Sequence, residues 1–109
     1  MTECIFCKIA QHEISVKAIH EDDHSIAFAD LNPQAPTHVL LIPKQHFRNV
    51  LGVPAELLGH LLHEAAKIAK EKLPEGFRIV INTGDDGGQT VEHLHLHVLG
   101  GRHMGWPPG

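Results

Sequence analysis

Three histidines alternate with leucines near the carboxyl end of the chain, in the segment His93-Leu94-His95-Leu96-His97. Side chains of a β-strand point alternately to opposite faces, so this spacing predicts three imidazoles on one face and leucines in the core. Imidazole titrates near neutral pH, binds metals and acts as a nucleophile when it is neutral and in the correct tautomer. The segment therefore predicts a chemical site that takes either a metal or a phosphate.

A glycine-containing loop directly precedes these histidines. Gly84, Gly87 and Gly88 allow sharp turns and leave backbone N–H groups accessible, which suits an anion. Gln89 and Thr90 add an amide donor and a hydroxyl next to the histidines. The loop is equally compatible with an ordinary hairpin connection, but together with three histidines it favours phosphate chemistry over a metalloenzyme.

The chain has only two cysteines, and they form the C-x-x-C segment Cys4-Ile5-Phe6-Cys7. In an intracellular chain this spacing indicates metal or redox chemistry rather than a structural disulfide. Redox motifs of this kind usually follow a strand, and no strand precedes Cys4. A zinc site needs two more ligands, for which His46 and His93 are candidates. The alternative is a pair of half-buried thiols without a metal.

Two further polar residues flank a proline-containing loop. His38 begins an apolar strand, and we expect it either beside the three histidines on a neighbouring strand or simply at a strand end. Asp30 ends the preceding strand, where its carboxylate either caps the next turn or accepts hydrogen bonds from ribose hydroxyls. The remaining histidines without a partner pattern are expected on the solvated surface: His20, His24, His60, His63 and His103.

The elements that must position these residues can be read from hydrophobic periodicity. A short helix is predicted over residues 4–11, a hairpin over 18–21 and 25–29, a buried strand over 38–42, a long helix over 54–73, and strands over 77–82 and 91–99. This order predicts an α+β fold in which an antiparallel sheet packs against helices. Ile9, Ile14, Phe28 and Leu40 are expected in the core or in the wall of a base pocket.

The long helix shows one apolar face and one polar face. Leu58, Leu61, Leu62, Ala65, Ile68 and Ala69 follow the spacing of a core-facing stripe. The polar face is expected to carry Glu64, Lys67, Lys70 and Glu71 into solvent.

Composition restricts the class of protein. A chain of 109 residues predicts a single domain over residues 1–109, and 42% hydrophobic with 20% charged residues is typical of a soluble globular protein. The net charge of −4 gives no general attraction to nucleic acid, so a phosphate needs a built site. No apolar run approaches the roughly 20 residues of a membrane span. The first residues lack a basic n-region and an apolar h-region, so we expect a cytoplasmic protein and no membrane partner.

The His-φ-His-φ-His-φ-φ pattern of residues 93–99 resembles the signature of the histidine-triad (HIT) family of nucleotide hydrolases and transferases. Further segments are similar to its histidine-triad nucleotide-binding branch, the nucleoside phosphoramidases. They are Ile5-Phe6-Cys7-Lys8-Ile9, Ala27-Phe28-Ala29-Asp30, Pro33-Gln34-Ala35-Pro36-Thr37-His38, Ile42-Pro43-Lys44, Gly87-Gly88-Gln89-Thr90-Val91 and the end from Leu99 to Gly109. The resemblance covers essentially the whole chain in the same order.

The resemblance implies a role for each matching residue. His95 would attack the α-phosphate and form a nucleotidyl-histidine, His97 would stabilise the phosphate charge, His93 would orient His95, His38 would act in support, and Thr90 would protonate the leaving amine. Asp30 would bind the ribose, while Asn82, Gly88 and Gln89 would line the phosphate side. The purine pocket would include Ile9, Ile14, Phe28 and Leu40.

The resemblance also implies an assembly and a metal site. The family forms a homodimer whose two sheets of about five strands each join, and the tail with Trp106 would reach towards the partner's site. Zinc-binding relatives use residues that correspond to Cys4, Cys7, His46 and His93, as a structural site that catalysis does not require. The predicted activity is hydrolysis of the P–N bond of a purine nucleoside phosphoramidate. The alternatives are dinucleoside polyphosphate hydrolysis and a nucleotide-binding or scaffold module with incidental hydrolysis.

Overall fold

The protein is described by a computed structural model over residues 4–109. The first three residues, on which the argument against an export signal partly rests, lie outside this range. The elements are α1 (Ile5–Ala10), β1 (Ala18–Glu21), β2 (Ser25–Ala29), β3 (Thr37–Pro43), a 3-10 turn (Val50–Gly52), α2 (Ala55–Lys72), β4 (Phe77–Val80) and β5 (Leu96–Gly100).

The strands form one five-stranded antiparallel sheet in the order β1-β2-β3-β5-β4. With its long helix and short N-terminal helix, this confirms the predicted α+β class. β3 is buried along nearly its whole length. Because β3 pairs with both β2 and β5, the strand that His38 begins is the direct neighbour of the strand that contains His97.

The two faces of the sheet carry two separate apolar cores. α2 covers one face, where its Leu61, Ala65 and Ile68 pack with sheet residues such as Leu41 and Val98. α1 covers the other face, where its side chains pack with alternate residues of β2 and β3: Phe6, Ile9, Ala10, Ile26, Phe28, Leu40 and Ile42. The histidine segment passes between these two environments.

The helix α2 departs from the predicted division of faces at two residues. Leu62, which was expected in the core, is 39% exposed. Glu64, which was expected in solvent, is buried at 7% exposure. It faces the sheet edge, where it lies close to His20. The prediction for Glu64 was wrong because helical periodicity does not show whether a buried polar side chain has a polar partner, which here is His20.

The predicted strand over residues 91–99 begins later than expected, at Leu96. The ladder between β3 and β5 ends at the pair Leu41–Leu96, and Pro43 beyond it has no N–H to donate. The Pro43 carbonyl accepts a hydrogen bond from the His93 side chain instead. The predicted alternation still holds in space, because Leu94, Leu96 and Val98 belong to the α2-side core. The strand predicted over 77–82 likewise ends early, at Val80.

Within residues 4–109, none of the helices combines the length and the hydropathy that crossing a membrane requires.

Candidate active site

A cleft of about 740 Å³ opens on the α1 side of the sheet. Its apolar wall is built from the residues predicted for a base pocket, Ile9, Ile14, Phe28 and Leu40. Its polar side contains Asp30, His38, Thr90, His95 and His97. The cleft thus places an apolar slot next to a cluster of imidazoles, which is the usual composition of a small-molecule site.

His95 is held in one tautomer by the main chain. Its Nδ1–H donates to the carbonyl oxygen of His93 at 2.7 Å, and that oxygen can only accept. Its Nε2 is therefore the nitrogen without a proton, as nucleophilic attack requires. Phe6 packs edge-on against the ring with a centroid separation of 5.1 Å and fixes its plane.

A chain of hydrogen bonds sets the tautomer of His97 in the same way. The backbone N–H of Gln34 donates to Nδ1 of His38 at 3.0 Å. The proton of His38 must therefore be on Nε2, which donates to Nδ1 of His97 at 2.8 Å. His97 consequently keeps its own proton on Nε2. The neighbouring rings of His95 and His97 lie 4.9 Å apart, so a bare nitrogen and an N–H donor stand side by side in the cleft.

Burial favours the neutral forms of His97 and His38. Burial lowers the pKa of His97 to about 4, and the neighbouring His95 and His38 act in the same direction while Asp30 opposes them. Burial also lowers the pKa of His38, again against the carboxylate of Asp30. A neutral His97 can donate from Nε2 while it accepts at Nδ1, so the depressed pKa preserves the hydrogen-bond chain.

Asp30 caps a turn with one carboxylate oxygen and leaves the other at the cleft. Its Oδ1 accepts a hydrogen bond from the backbone N–H of Asn32 at 2.8 Å and caps the turn after β2. Its Oδ2 lies 3.4 Å from Nε2 of His38 at the edge of the cleft. This second oxygen is placed to accept a hydrogen bond from a hydroxyl group of a ligand.

Behind the cleft, Cys4, Cys7, His46 and His93 meet with all four donor atoms within 4.8 Å of one another. Nδ1 of His93 lies 3.3 Å from Cys4 Sγ and 3.2 Å from His46 Nδ1. Cys7 Sγ lies 3.2 Å from His46 Nδ1. In a tetrahedral zinc site with sulfur and nitrogen ligands, these atoms stand about 3.3–3.8 Å apart, so the donor set fits zinc with small adjustments.

The protonation state of His93 agrees with that fit. Its Nε2–H donates to the Pro43 carbonyl at 2.9 Å, which leaves the lone pair of Nδ1 towards the two sulfurs. Burial is the main cause that lowers the pKa of His93 to about 4; the Pro43 hydrogen bond opposes it, and His46 and His95 act with it. Burial raises the pKa of Cys7 to about 11 in the metal-free chain, so a bound cation is needed to hold it as a thiolate.

The glycine-containing loop before the histidines is held by hydrogen bonds of its own. Its amides bond within the loop, from Gly88 N to Asp85 O and from Gln89 N to Gly84 O. The amide of Asn82 donates to Gly87 O. Asn82, Gly88 and Gln89 line no part of the cleft in the single chain. The contact of these three residues with a phosphate therefore stays a prediction.

Gln89 nevertheless connects the loop to the site. Its Nε2 donates to the carbonyls of Arg48 and Val91, at 2.7 and 3.0 Å. These bonds fix the segment that presents Thr90 and Val91 to the cleft. Trp106 is 84% exposed and lies away from this cleft, so its predicted contact with a partner's site requires a second copy of the chain.

Some contributors could not be found from side-chain patterns. The carbonyls of His93 and Pro43 and the amide of Gln34 select tautomers, and any residue type supplies the two carbonyls. Lys17 and Ser15 also line the cleft, although neither belongs to a chemical motif in the sequence. Both residues lie in the irregular segment between α1 and β1, and the path of that segment brings them to the cleft.

Two histidines expected in solvent are instead half-buried. His20 and His60 both contact the carboxylate of Asp22, at 3.1 and 2.8 Å. The surface prediction was wrong for these two histidines. Asp22 directly follows the strand of His20, and His60 meets the same carboxylate from α2. His24 and His63 are exposed, as expected.

Comparison with known proteins defines the class to which this fold and site belong. A family model described as "HIT domain" matches residues 11–104, so the chain belongs to the HIT domain family. The match begins at residue 11, so the C-x-x-C segment lies outside the part of the chain that the family model covers.

Similar sequences cover the chain almost completely. An uncharacterized HIT-like protein of Synechococcus elongatus is 55% identical, over 98% of this chain and 97% of the relative. A protein of Zea mays named "14 kDa zinc-binding protein" is 47% identical, over 96% of this chain and 87% of the relative.

Solved structures agree with the fold. A HIT family hydrolase from Legionella pneumophila superposes with a TM-score of 0.93 at 51% identity and covers 98% of this chain and 100% of its own. A histidine triad protein from Clostridium difficile has a TM-score of 0.89 at 44% identity, with 96% of each chain covered.

Proposed function

We propose that this chain is a hydrolase of the HIT family that cleaves the P–N bond of purine nucleoside phosphoramidates through a covalent intermediate on His95. The hydrogen bond from His95 Nδ1 to the His93 carbonyl carries the proposal, because it leaves Nε2 without a proton inside the cleft. The hydrolase from Legionella pneumophila supports the general reaction class.

In the first step, Nε2 of His95 attacks the α-phosphorus and the P–N bond breaks. The amine leaves with the bonding electron pair and takes a proton, for which the Thr90 hydroxyl is the proposed donor. The N–H of His97 donates to a non-bridging oxygen and stabilises the charge that develops there. Water then attacks the phosphorus and gives one proton to the Thr90 oxygen, the bond from phosphorus to Nε2 breaks with its electron pair returning to His95, and the nucleoside monophosphate leaves.

The cleft supports a single purine nucleotide as the ligand. Its apolar wall would take the base, and Oδ2 of Asp30 would accept ribose hydroxyls at the opposite edge. Asn82, Gly88 and Gln89 are proposed to line the phosphate side, and the hydrogen bonds of Gln89 also fix the segment that carries Thr90. A nucleotide of this size fits within the observed cleft volume of about 740 Å³.

We also propose that Cys4, Cys7, His46 and His93 bind a structural zinc. The two plant relatives named zinc-binding proteins support this, together with the donor set described above. None of these four residues lines the cleft, so the metal would lie behind His95 and His97. When bound, it would supply a cross-link and fix the orientation of His93.

The covalent step can be tested by intact-mass spectrometry of protein quenched during turnover of an AMP-amine substrate. We expect a nucleotidyl adduct on the wild-type chain and none on His95→Ala, with turnover reduced by about three orders of magnitude or more. The exposed His63 on α2 provides the control, since His63→Ala should keep both. Should the adduct be too short-lived, a slowly hydrolysed thiophosphate substrate will accumulate it.

The substrate class requires a separate comparison. We expect kcat/KM for an AMP-amine to exceed that for a dinucleoside tetraphosphate. The reverse order would favour the polyphosphate alternative while leaving covalent His95 intact. Hydrolysis of neither substrate would favour a binding module.

A further inference from the structure

A second group of metal-binding side chains lies on the opposite face of the sheet from the cleft, between the edge strand β1 and the helix α2. His20 is in β1, Asp22 follows it directly, and Glu64 is in the middle of α2. Nε2 of His20, a carboxylate oxygen of Asp22 and one of Glu64 all lie within 4.8 Å of one another. The proposed catalytic machinery uses none of the three.

The backbone of β1 is irregular at the point where it presents His20. The pairing of β1 with β2 shifts register between Ala18 and His20. Ile19 packs into the α2-side core, and the next residue, His20, also faces α2 through Glu64. Regular strand alternation would send these neighbours to opposite faces, and a bulge is the usual device that re-aims a side chain. The bulge therefore brings the imidazole to the carboxylates.

Asp22 is anchored so that only one of its oxygens faces the group. Its Oδ1 accepts hydrogen bonds from the backbone N–H groups of His24 and Ser25, at 2.8 and 2.7 Å, and from the Ser25 hydroxyl at 3.0 Å. Its Oδ2 lies 3.1 Å from His20 Nε2 and 2.8 Å from His60 Nε2. Hydrogen bonds of this kind orient the ligands of metal sites.

Glu64 brings a buried second carboxylate to this group from the helix α2. Its side chain is more than nine-tenths buried, at 9% exposure, and its Oε1 lies 3.3 Å from His20 Nε2. Lys67, a flexible and mostly exposed side chain, approaches the same oxygen only to 3.7 Å. Two carboxylates thus share one imidazole, and a cation bound between them would offset their mutual repulsion more fully than the exposed Lys67 does.

We infer that His20, Asp22 and Glu64 form a second, exchangeable site for a divalent transition-metal ion of the zinc class. One imidazole and two carboxylates suit such ions, and atoms bound at about 2.0–2.2 Å stand roughly 3.3 Å apart, close to the separations above. Two carboxylates and a divalent ion are neutral together. Three protein ligands leave coordination positions for water, so we expect weaker binding than at the four-ligand Cys/His group.

The site is accessible and joins two elements. His20 and Glu64 line a surface cleft of about 550 Å³ between β1 and α2, through which an ion can enter. An ion bound there would tie the sheet edge to the helix, while His60 holds Asp22 from the same side of α2. Occupancy would therefore stabilise the side of the molecule that is remote from the cleft.

Cobalt(II) distinguishes this site from the Cys/His group, because only thiolate ligands give intense sulfur-to-metal charge-transfer bands. Titration of the full-length chain should show about two ions bound per chain, the first with those bands and the second with weak d–d bands alone. Glu64→Gln and His20→Gln should each weaken the second binding event by about 10–100-fold and leave the first unchanged. The control variants His63→Gln and His103→Gln, at exposed histidines, should bind as wild type does.

Several outcomes would overturn the inference. They are a single binding event in the wild-type chain, a second event that Glu64→Gln and His20→Gln both retain, or one that His63→Gln or His103→Gln removes. The last result would assign the second ion to scattered surface imidazoles. Circular dichroism verifies that each variant is folded. His20→Gln, at the half-buried sheet edge, keeps the test valid if Glu64→Gln does not fold.

Discussion

A departing amine must gain a proton as the P–N bond breaks, and two hydroxyls, those of Thr90 and Ser15, line the cleft. Thr90 belongs to the segment that leads into the three histidines, whereas Ser15 follows α1. Thr90→Ala should lower kcat/KM by about 100-fold for basic alkylamine leaving groups and much less for weakly basic aromatic amines. Steady-state rates over a leaving-group series give the measurement.

Ser15→Ala is the matched control for this prediction, and it should leave the dependence on the leaving group unchanged. A loss on Thr90→Ala that is uniform across the series would assign Thr90 to substrate binding. The same series measured on His97→Ala should show a nearly uniform loss, because stabilisation of the phosphate oxygen does not depend on the amine.

At the scale of secondary structure, the helix α1 has only six residues, which is too short to be stable alone. It is held by its apolar contacts with β2 and β3 and by the sulfur atoms of Cys4 and Cys7 at its start. Removing zinc with a chelator should therefore speed amide hydrogen exchange in residues 5–10 and leave α2 unchanged. It should also lower the melting temperature.

Hydrogen exchange followed by mass spectrometry, with and without chelator, measures this difference. The Cys4→Ala/Cys7→Ala variant should exchange like the chelated protein and should contain no zinc by elemental analysis. Equal exchange in α1 with and without the metal would mean that packing alone holds the helix.

The elements differ in how far their sequence predicts them. The bounds of α2 were predicted to within one residue at each end, because caps and periodicity are local signals. The start of β5 was not, since it depends on Pro43, which lies far away in sequence and ends the ladder with β3. The alternation of histidine and leucine still predicted the two faces correctly: Leu94 and Leu96 pack in the α2-side core, and His95 faces the cleft.

The same distinction applies to the sites. The residues of the Cys/His group and of the cleft were predicted because their types are informative and the family resemblance connects them. The His20, Asp22 and Glu64 group was missed, because it depends on a bulge in β1 and on the contact between β1 and α2. Neither feature has a signature in the spacing of the residues.

For the whole molecule, the buried neutral histidines predict how stability depends on pH. Burial lowers the pKa of His97 to about 4 and also lowers that of His38. The unfolded chain therefore binds more protons than the folded chain between about pH 4 and 6.5, so the free energy of unfolding falls as pH falls through that range. The hydrogen bonds that lower the pKa of Asp22 act below this range, since its ordinary value is 3.8.

Urea unfolding of metal-free protein at pH 7 and pH 5 gives the measurement, since chelation removes any contribution from acid release of zinc. We expect a lower midpoint at pH 5. His97→Gln should show a smaller difference between the two pH values than wild type, because it lacks one of the buried groups. An unchanged difference would show that His97 does not contribute.

The assembly can be predicted from the two edges of the sheet. The β1 edge is interrupted by its register shift, whereas β4 is regular and presents Phe77 at 42% exposure. The tail also lies against β4, where Arg78 donates to the carbonyl of Gly105. The outer side of β4 pairs with no strand of the same chain within residues 4–109, so we expect a homodimer joined along β4.

Sedimentation equilibrium tests this prediction. The wild-type chain should sediment at twice its own mass, and Phe77→Asp should shift the equilibrium towards the monomer. Leu31→Asp, at a fully exposed residue remote from β4, should leave the dimer intact. A monomeric wild-type chain would remove both the predicted dimer and the predicted role of Trp106 at a partner's site.

The tautomers of His38, His93 and His95 are set by main-chain atoms, the carbonyls of His93 and Pro43 and the amide of Gln34. A main-chain carbonyl survives every point mutation, and the amide is lost only on replacement by proline. Substitutions in the wall of the cleft can therefore change which base or amine is accepted. The tautomer of the proposed nucleophile, His95, stays the same. Heritable novelty in this scaffold is thus expected to arise in ligand preference, with the reactive centre passed on unaltered.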